Sequence, residues 1–244
     1  MSDSASLRVG SSTGWIIPRR PSILTLMSAS LYDAVRPCAS PEDYAEAVSL
    51  TKEYAAWLGF DLGFHGFDRE LAGFSAMYGS PDGAFLLARY GGALAGGVGL
   101  RRLAPGVCEM KRLFVRERFK GRGLGRALCV KLVARARALA YASMRLDTLS
   151  RMEPALALYR SLGVVDIAPY RHNPEPGACF LELDLTPKVR PARHEELDAV
   201  YLLGYDTWGE GAAEAAYLAE CRASPKYARG RWWVLEEIGA PVSA

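Results

Sequence analysis

Residues 120–126 read Lys120-Gly121-Arg122-Gly123-Leu124-Gly125-Arg126. This glycine loop lies between an apolar segment that ends at Val115 and a run in which Leu124, Leu128 and Leu132 recur at helical spacing. A glycine-rich turn at the start of a helix exposes backbone N–H groups with positive partial charge, and the missing Cβ atoms let an anion approach closely. The pattern therefore predicts a site for a phosphate-bearing ligand.

Basic residues around the glycine loop strengthen this prediction. Only Glu117 opposes a group of cations that comprises Lys111, Arg112, Arg116, Arg118, Lys120, Arg122 and Arg126. Over the whole chain, 30 Lys and Arg against 27 Asp and Glu give a formal net charge of +3, which is too small to indicate a nucleic-acid or membrane partner. We therefore expect a pyrophosphate ligand, and neither a nucleic acid nor a membrane.

Two other phosphate-binding loops do not fit the sequence. A P-loop ends in Gly-Lys-Ser or Gly-Lys-Thr, whereas Arg126 and Ala127 follow Gly125. A dinucleotide fingerprint needs a further glycine three residues after its second glycine, where Arg126 or Leu128 stands here. A basic turn exposed to solvent is the remaining alternative.

The hydrophobic pattern predicts a chain of mixed α+β class. Helices are expected at Pro41 to Leu58, with Ser40 as N-cap, and at Phe67 to Phe74, Leu124 to Leu139 and Met152 to Leu162. Strands are expected at Leu31 to Arg36, Ala84 to Tyr90, Ala93 to Arg101, Val107 to Val115, Met144 to Thr148, Val164 to Ile167 and Cys179 to Leu185. Gly91-Gly92 is typical of a two-residue hairpin turn.

Three segments in this order resemble the GNAT acyltransferase superfamily. They are Glu109-Met110-Lys111-Arg112-Leu113-Phe114-Val115, the glycine loop, and Ala155-Leu156-Ala157-Leu158-Tyr159-Arg160-Ser161-Leu162-Gly163. The resemblance covers about residues 31–186 and implies a GNAT domain at 28–186, with a mixed, mostly antiparallel central sheet flanked by helices. It also implies acetyl-CoA as co-substrate and an amine as acceptor, without a metal.

The resemblance further implies roles for individual residues. Main-chain groups of Leu113, Phe114 and Val115 would pair with the pantetheine arm. The pyrophosphate would be bound by Lys120, Gly121, Arg122, Gly123, Leu124, Gly125 and Arg126. Tyr159 would protonate the leaving thiolate, although a tyrosine simply packed on the sheet is the alternative. Lys120 stands where the family usually has Arg or Gln, and Met152 stands where it often has Asn.

Glu109 is the candidate base for deprotonating the amine, directly or through water. It lies on a strand expected to line the cleft, where burial can raise the pKa of a carboxyl group. A residue without any catalytic role is an equally weighted alternative. The acceptor is expected to contact Phe60 to Phe74 and Tyr170 to Gly177, but the sequence does not identify it.

The two ends of the chain carry separate predictions. Residues 1–27, rich in Ser, Gly, Arg and Pro, predict a disordered leader, with Met27 as an alternative start. Beyond Thr186-Pro187, the run Lys188-Val189-Arg190-Pro191 echoes Val35-Arg36-Pro37, and each is followed by helices and an apolar strand. This echo predicts a partial second GNAT-like module at 187–244, and an ordinary C-terminal helical appendage is the alternative. The tail would complete a homodimer, cover an edge strand or be a truncated tandem domain.

The cysteines predict the compartment of the protein, and the motifs predict its class of function. Five widely spaced cysteines without metal-site spacing predict reduced thiols in a cytoplasmic protein without structural zinc. The first functional hypothesis is an N-acetyltransferase that uses acetyl-CoA and a primary amine. A non-catalytic acyl-CoA-binding or sensing module is the second, and nucleic-acid binding through the basic loop is the third.

Overall fold

The computed structural model describes residues 34–60, 62–63 and 66–236 of the 244-residue chain. These residues belong to two compact units, 34–186 and 187–236. The leader expected at residues 1–27, the beginning of the first expected strand and His65 lie outside the described residues.

A seven-stranded sheet forms the centre of the larger unit. Its strands are β1 (Val35–Pro37), β2 (Ala84–Tyr90), β3 (Ala93–Ala104), β4 (Val107–Val115), β5 (Ser143–Leu149), β6 (Val165–Asp166) and β7 (Ala178–Asp184). They are ordered β1-β2-β3-β4-β5-β7-β6, and every neighbouring pair is antiparallel except β4 and β5. The predicted mixed, mostly antiparallel sheet is confirmed.

Helices cover both faces of this sheet. They are α1 (Pro41–Leu58), α2 (Phe67–Ala72), α3 (Phe74–Met77), α4 (Leu124–Ala138) and α5 (Glu153–Ser161). One apolar cluster joins Leu128 of α4 and Leu156 of α5 to the sheet, and a second joins Leu50 of α1 to Phe85. The helix expected at Phe67 to Phe74 is two short helices, because α2 ends at Gly73 and a new turn begins there.

Helix α1 begins where the sequence predicts. The Ser40 hydroxyl accepts a hydrogen bond from the Asp43 amide at 3.2 Å, and the Asp43 carboxylate accepts one from the Ser40 amide at 3.1 Å. This reciprocal cap satisfies backbone donors that a helix start leaves without partners. It fixes the direction in which α1 crosses the sheet.

A bulge in β4 changes the path of that strand. Gly97 of β3 pairs with Phe114 and Gly99 pairs with Lys111, so two residues of β4 oppose one residue of β3. Arg112, within the bulge, has a φ of 60°, which is uncommon for a residue with a side chain. Bulges bend a strand and increase its twist.

The parallel pairing of β4 with β5 is short. It comprises Val107 with Ser143, Cys108 with Met144, and Glu109 with Arg145. From Met110 and Leu146 onward the two strands continue without pairing to each other, while β4 still pairs with β3 and β5 with β7. The sheet therefore opens between two adjacent strands.

The smaller unit contains a two-stranded antiparallel sheet with helices between its strands. Its elements are β8 (Lys188–Pro191), α6 (Leu197–Leu202), α7 (Tyr205–Trp208), α8 (Glu214–Ala223), α9 (Pro225–Arg229) and β9 (Trp233–Glu236). Arg190 forms two hydrogen bonds with Glu196, at 2.7 and 2.8 Å. Both β1 and β8 contain Val-Arg-Pro, and each pairs antiparallel with a strand that follows a set of helices.

None of the helices within the described ranges is long and apolar enough to cross a membrane.

Candidate active site

A cleft of about 710 Å³ lies where β4 and β5 separate. Its walls include Met110 to Val115 of β4 and Leu146 to Leu149 of β5. The first turn of α4 and part of α5 line it from one face of the sheet, and the last turn of α1 lines it from the other. This volume is typical of small-molecule sites.

The glycine loop forms one end of the cleft. Gly121 and Gly123 have φ angles of 73° and 78°, in the left-handed region that glycine adopts without strain. Helix α4 begins at Leu124 with no side chain capping its first N–H groups, so these donors are available to an anion. Lining residues here are Lys120, Gly121, Gly123, Leu124 and Gly125.

Two predicted ligand-binding side chains are engaged elsewhere. The Arg122 guanidinium lies 4.8 Å from the centre of the Tyr90 ring, and Arg126 donates a hydrogen bond to the Ser161 hydroxyl at 3.0 Å. Neither arginine is among the residues that line the cleft.

The positive charge around the loop is smaller than the sequence suggested. Lys111 lies 3.4 Å from Asp147, Arg112 2.6 Å from Glu70, Arg116 2.6 Å from Glu53, and Lys120 2.6 Å from Glu117. Lys111 and Arg112 are also buried, so they belong to the interior of the cleft rather than to the glycine loop. Each partner offsets one of the cations that the sequence groups together.

Tyr159 lines the cleft from α5 and is 7% exposed. Burial raises the pKa of its hydroxyl group well above the usual value for tyrosine. The group therefore remains protonated at neutral pH, and it is able to donate a proton or a hydrogen bond.

Glu109 has different surroundings from those expected of a base. It is fully buried outside the cleft lining, where Arg101 donates to Oε2 at 2.7 Å and Arg171 to Oε1 at 2.6 Å. Burial acts to raise the pKa of this carboxyl group, but the charges of Lys111, Arg101 and Arg171 outweigh it and the pKa is lowered. The expectation of a raised pKa is therefore wrong, and both oxygens already accept charged hydrogen bonds.

Asp147 is a cleft residue that the sequence reasoning missed. It is the one carboxylate among the described residues that line the cleft. Lys111 Nζ lies 3.4 Å from Oδ1, and Asn173 Nδ2 donates to Oδ2 at 2.9 Å. Burial lowers the pKa of Lys111 to about 8. The available signal was an acid that alternates with the buried residues Leu146 and Thr148 along this strand.

Comparison with known families agrees with this geometry. The model of the Acetyltransferase (GNAT) family matches residues 42–164, about half of the 244-residue chain. The chain belongs to the GNAT acetyltransferase family. It is therefore an acyltransferase, as the sequence predicts.

Two relatives match this GNAT protein over most of their own length. An uncharacterised N-acetyltransferase of Schizosaccharomyces pombe is 40% identical over 149 residues, covering 60% of this chain and 91% of that protein. One from Dictyostelium discoideum is 27% identical over 198 residues, covering 56% and 92%. A GNAT acetyltransferase structure from Staphylococcus aureus has a TM-score of 0.52 at 18% identity, covering 63% of this chain and 100% of that one, which supports the fold.

The described histidines of this GNAT protein, His172 and His194, lie outside the cleft lining. His172 is exposed, and His194 packs edge-on against Tyr227 in the smaller unit. Within the described part of the chain, no group of three or more His, Cys, Asp or Glu residues is arranged to hold a metal ion.

Proposed function

We propose that this protein transfers an acetyl group from acetyl-CoA to a primary amine of a small molecule, amino acid or peptide, directly within a ternary complex. The observation that carries the proposal is the cleft between β4 and β5. Its described lining includes the glycine loop, Tyr159 and Asp147, with elements from both faces of the sheet.

The described residues fit the parts of acetyl-CoA. Gly121 and Gly123 and the first N–H groups of α4 suit the pyrophosphate. The edge of Leu113 to Val115 that faces β5 has no strand partner there, so its backbone groups suit the amides of the pantetheine arm. Among the described lining residues Asp147 is the one acidic side chain, and it does not belong to the glycine loop.

The reaction forms a C–N bond, breaks the thioester C–S bond, and moves protons from the amine to the leaving thiolate. Tyr159 is the proton donor in this proposal, because it lines the cleft and a tyrosine hydroxyl carries its proton at neutral pH. Asp147 takes the place of Glu109 as the proton acceptor, since Asp147 lines the cleft and Glu109 does not. Hydrogen bonding from Asn173 and the contact with Lys111 hold the Asp147 carboxylate in position.

Calorimetric titration with acetyl-CoA tests the binding step. The variant Gly123→Ala/Gly125→Val fills the loop, and it is expected to lose the micromolar binding of the wild type. Gly106→Ala is the matched control, because Gly106 also has a positive φ, 72°, but lies in the turn after β3. Absence of binding by the folded wild type would overturn the proposal.

For residues 187–236 we propose a partial second module of the same fold. The shared Val-Arg-Pro strand, and its antiparallel partner after intervening helices, support this reading. Five free cysteines support a reducing compartment such as the cytoplasm.

A further inference from the structure

The side of the cleft formed by α1 and the segment after it is apolar. Its lining residues are Tyr54, Trp57, Leu58, Phe60 and Leu62, together with Phe114 from β4. Three of the rings form a cluster, with centres 6.2 Å apart for Tyr54 and Trp57, 5.7 Å for Tyr54 and Phe114, and 5.9 Å for Trp57 and Phe114. We call these six residues the apolar wall.

The apolar wall lies on the same face of the sheet as Asp147. Leu113 and Val115 pack with the cluster that includes α4 and α5, whereas Phe114 packs with the cluster that includes α1. Arg112 bonds Glu70 of α2 on that second face. Alternation along β5 puts Asp147 on the opposite face from its buried neighbour Leu146, which belongs to the α4 and α5 cluster.

An acceptor that binds from the α1 side would therefore contact both the apolar wall and Asp147. Its amine would reach the carboxylate while the rest of the molecule remains against the rings. Desolvation of an apolar group by these side chains favours binding in proportion to the area removed from water.

The charges of the cleft argue against a polycationic acceptor. A polyamine or a lysine-rich peptide needs several carboxylates, but Asp147 is the one acidic side chain in the described lining. Arg151 adds positive charge at this mouth, where its guanidinium lies 5.4 Å from the centre of the Phe60 ring. The α1 side of the cleft is therefore apolar, with positive charge from Arg151 beside it.

We propose that the acceptor is a compact primary amine attached to an aromatic or large apolar group. This inference rests on the acetyl transfer proposed above and specifies its acceptor. The amine nitrogen bonds to the acetyl carbon as the C–S bond breaks, its proton passes to Asp147, and the thiolate receives the proton of Tyr159.

The test compares matched amines as acceptors for the full-length protein. Acetylated product is measured by mass spectrometry for 2-phenylethylamine and tryptamine against ethylamine, ethanolamine, putrescine and a peptide that begins with alanine. We expect kcat/KM to be at least roughly tenfold higher for the aromatic amines, because only they bury a ring against the wall.

Variants of Trp57 test whether the apolar wall causes the higher kcat/KM for aromatic amines. Trp57 is 51% exposed, so its replacement leaves the core intact. Trp57→Ala should lower the ratio of kcat/KM for tryptamine to that for ethylamine roughly tenfold, with partial recovery in Trp57→Phe. Lys120 Nζ lies 5.0 Å from the centre of the Trp57 ring, and any effect through this contact acts on both amines and cancels in the ratio. Trp208→Ala is the matched control, because Trp208 is 69% exposed and lies in the smaller unit.

Acetyl-CoA titration separates failure of this inference from failure of the proposed function. If acetyl-CoA binds but the polar amines or the peptide are acetylated as fast as the aromatic amines, the acceptor inference is overturned. It is equally overturned if acetyl-CoA binds and neither aromatic amine is acetylated. If acetyl-CoA does not bind, the acetyl transfer itself fails, and the acceptor inference falls with it.

Discussion

Tyr159 combines a position in the cleft with a hydroxyl group whose pKa is raised by burial. If this group protonates the leaving thiolate, Tyr159→Phe should lower kcat roughly a hundredfold or more while acetyl-CoA binding changes little. Steady-state kinetics and calorimetry measure the two effects separately. Tyr141→Phe is the control, since the Tyr141 hydroxyl is bonded to the Asp82 carbonyl outside the cleft lining. An unchanged kcat in Tyr159→Phe would remove its role.

Asp147 and Glu109 are two buried carboxylates with different expected roles. Asp147→Asn should lower kcat/KM strongly, because the amide cannot accept the proton of the amine. Glu109→Gln should mainly lower the unfolding temperature, since Arg101 and Arg171 lose their charged partner. Kinetics against pH and thermal unfolding of both variants test the assignment. The reverse pattern would restore Glu109 as the base.

Lys111 should make stability depend on pH. Burial lowers its pKa to about 8 from the ordinary value of 10.5, despite the opposing charges of Glu109 and Asp147. Between these pH values the folded protein has released the proton and the unfolded chain still holds it, so the free energy of unfolding rises with pH. The gain approaches roughly 3 kcal/mol, at about 1.4 kcal/mol per pKa unit.

Denaturant unfolding at pH 7.5 and pH 10 measures this gain. Lys111→Met provides the reference, because the other titrating groups contribute to both proteins. Wild type should gain stability relative to the variant as pH rises. Parallel stability profiles for the two proteins would show that Lys111 titrates normally.

At the scale of elements, local patterns predicted structure well and long-range pairing was not predicted. The hairpin at Gly91-Gly92 and the cap at Ser40 depend on neighbouring residues, so both were correct. Arg112, in the bulge, pairs with Glu70, 42 residues earlier in the chain. The sequence alone does not show that pairing, so it groups Arg112 with the cations around the glycine loop.

The same limit applies to the candidate site. The glycine loop and Tyr159 carry motifs that are contiguous in sequence, and the structure brings both to one cleft. Asp147 and Asn173 meet only because β5 and the segment before β7 converge. Glu109 lies in the strand that the motif indicates, but arginines from two other segments enclose it.

The ion pair of Arg112 with Glu70 should stabilise the bulge. Arg112 donates to both oxygens of Glu70, at 2.9 and 2.6 Å, and Tyr78 donates to the same carboxylate at 2.7 Å. Glu70→Ala leaves a buried guanidinium without its charged partner, which costs about 3–5 kcal/mol. Thermal unfolding should show a fall of roughly 10 °C.

A second glutamate provides the control for this ion pair. Glu46 pairs with Arg89 at the surface, where the two side chains are 39% and 44% exposed. Glu46→Ala should change the unfolding free energy by less than about 1 kcal/mol. Equal effects of Glu70→Ala and Glu46→Ala would show that the bulge does not depend on the buried pair.

At the scale of the whole molecule, the residues assigned to chemistry all lie in the larger unit. The described lining of the cleft extends from Tyr54 to Asn173, and the unit boundary falls between Thr186 and Pro187. The smaller unit has its own sheet, helices and ion pairs, including those of Glu196. Ligand binding and the C-terminal unit are therefore separable by experiment.

A chain that ends at Thr186 should still bind acetyl-CoA with a dissociation constant within about twofold of the full-length value. The physical reason is that the glycine loop, the open edge of β4 and Tyr159 are all held by the seven-stranded sheet and its own helices. Calorimetry on both proteins measures binding, and sedimentation measures their oligomeric state. If truncation abolishes binding while the remaining chain stays folded, residues 187–236 contribute to the site. If truncation converts a dimer to a monomer and binding persists, the C-terminal unit serves assembly instead.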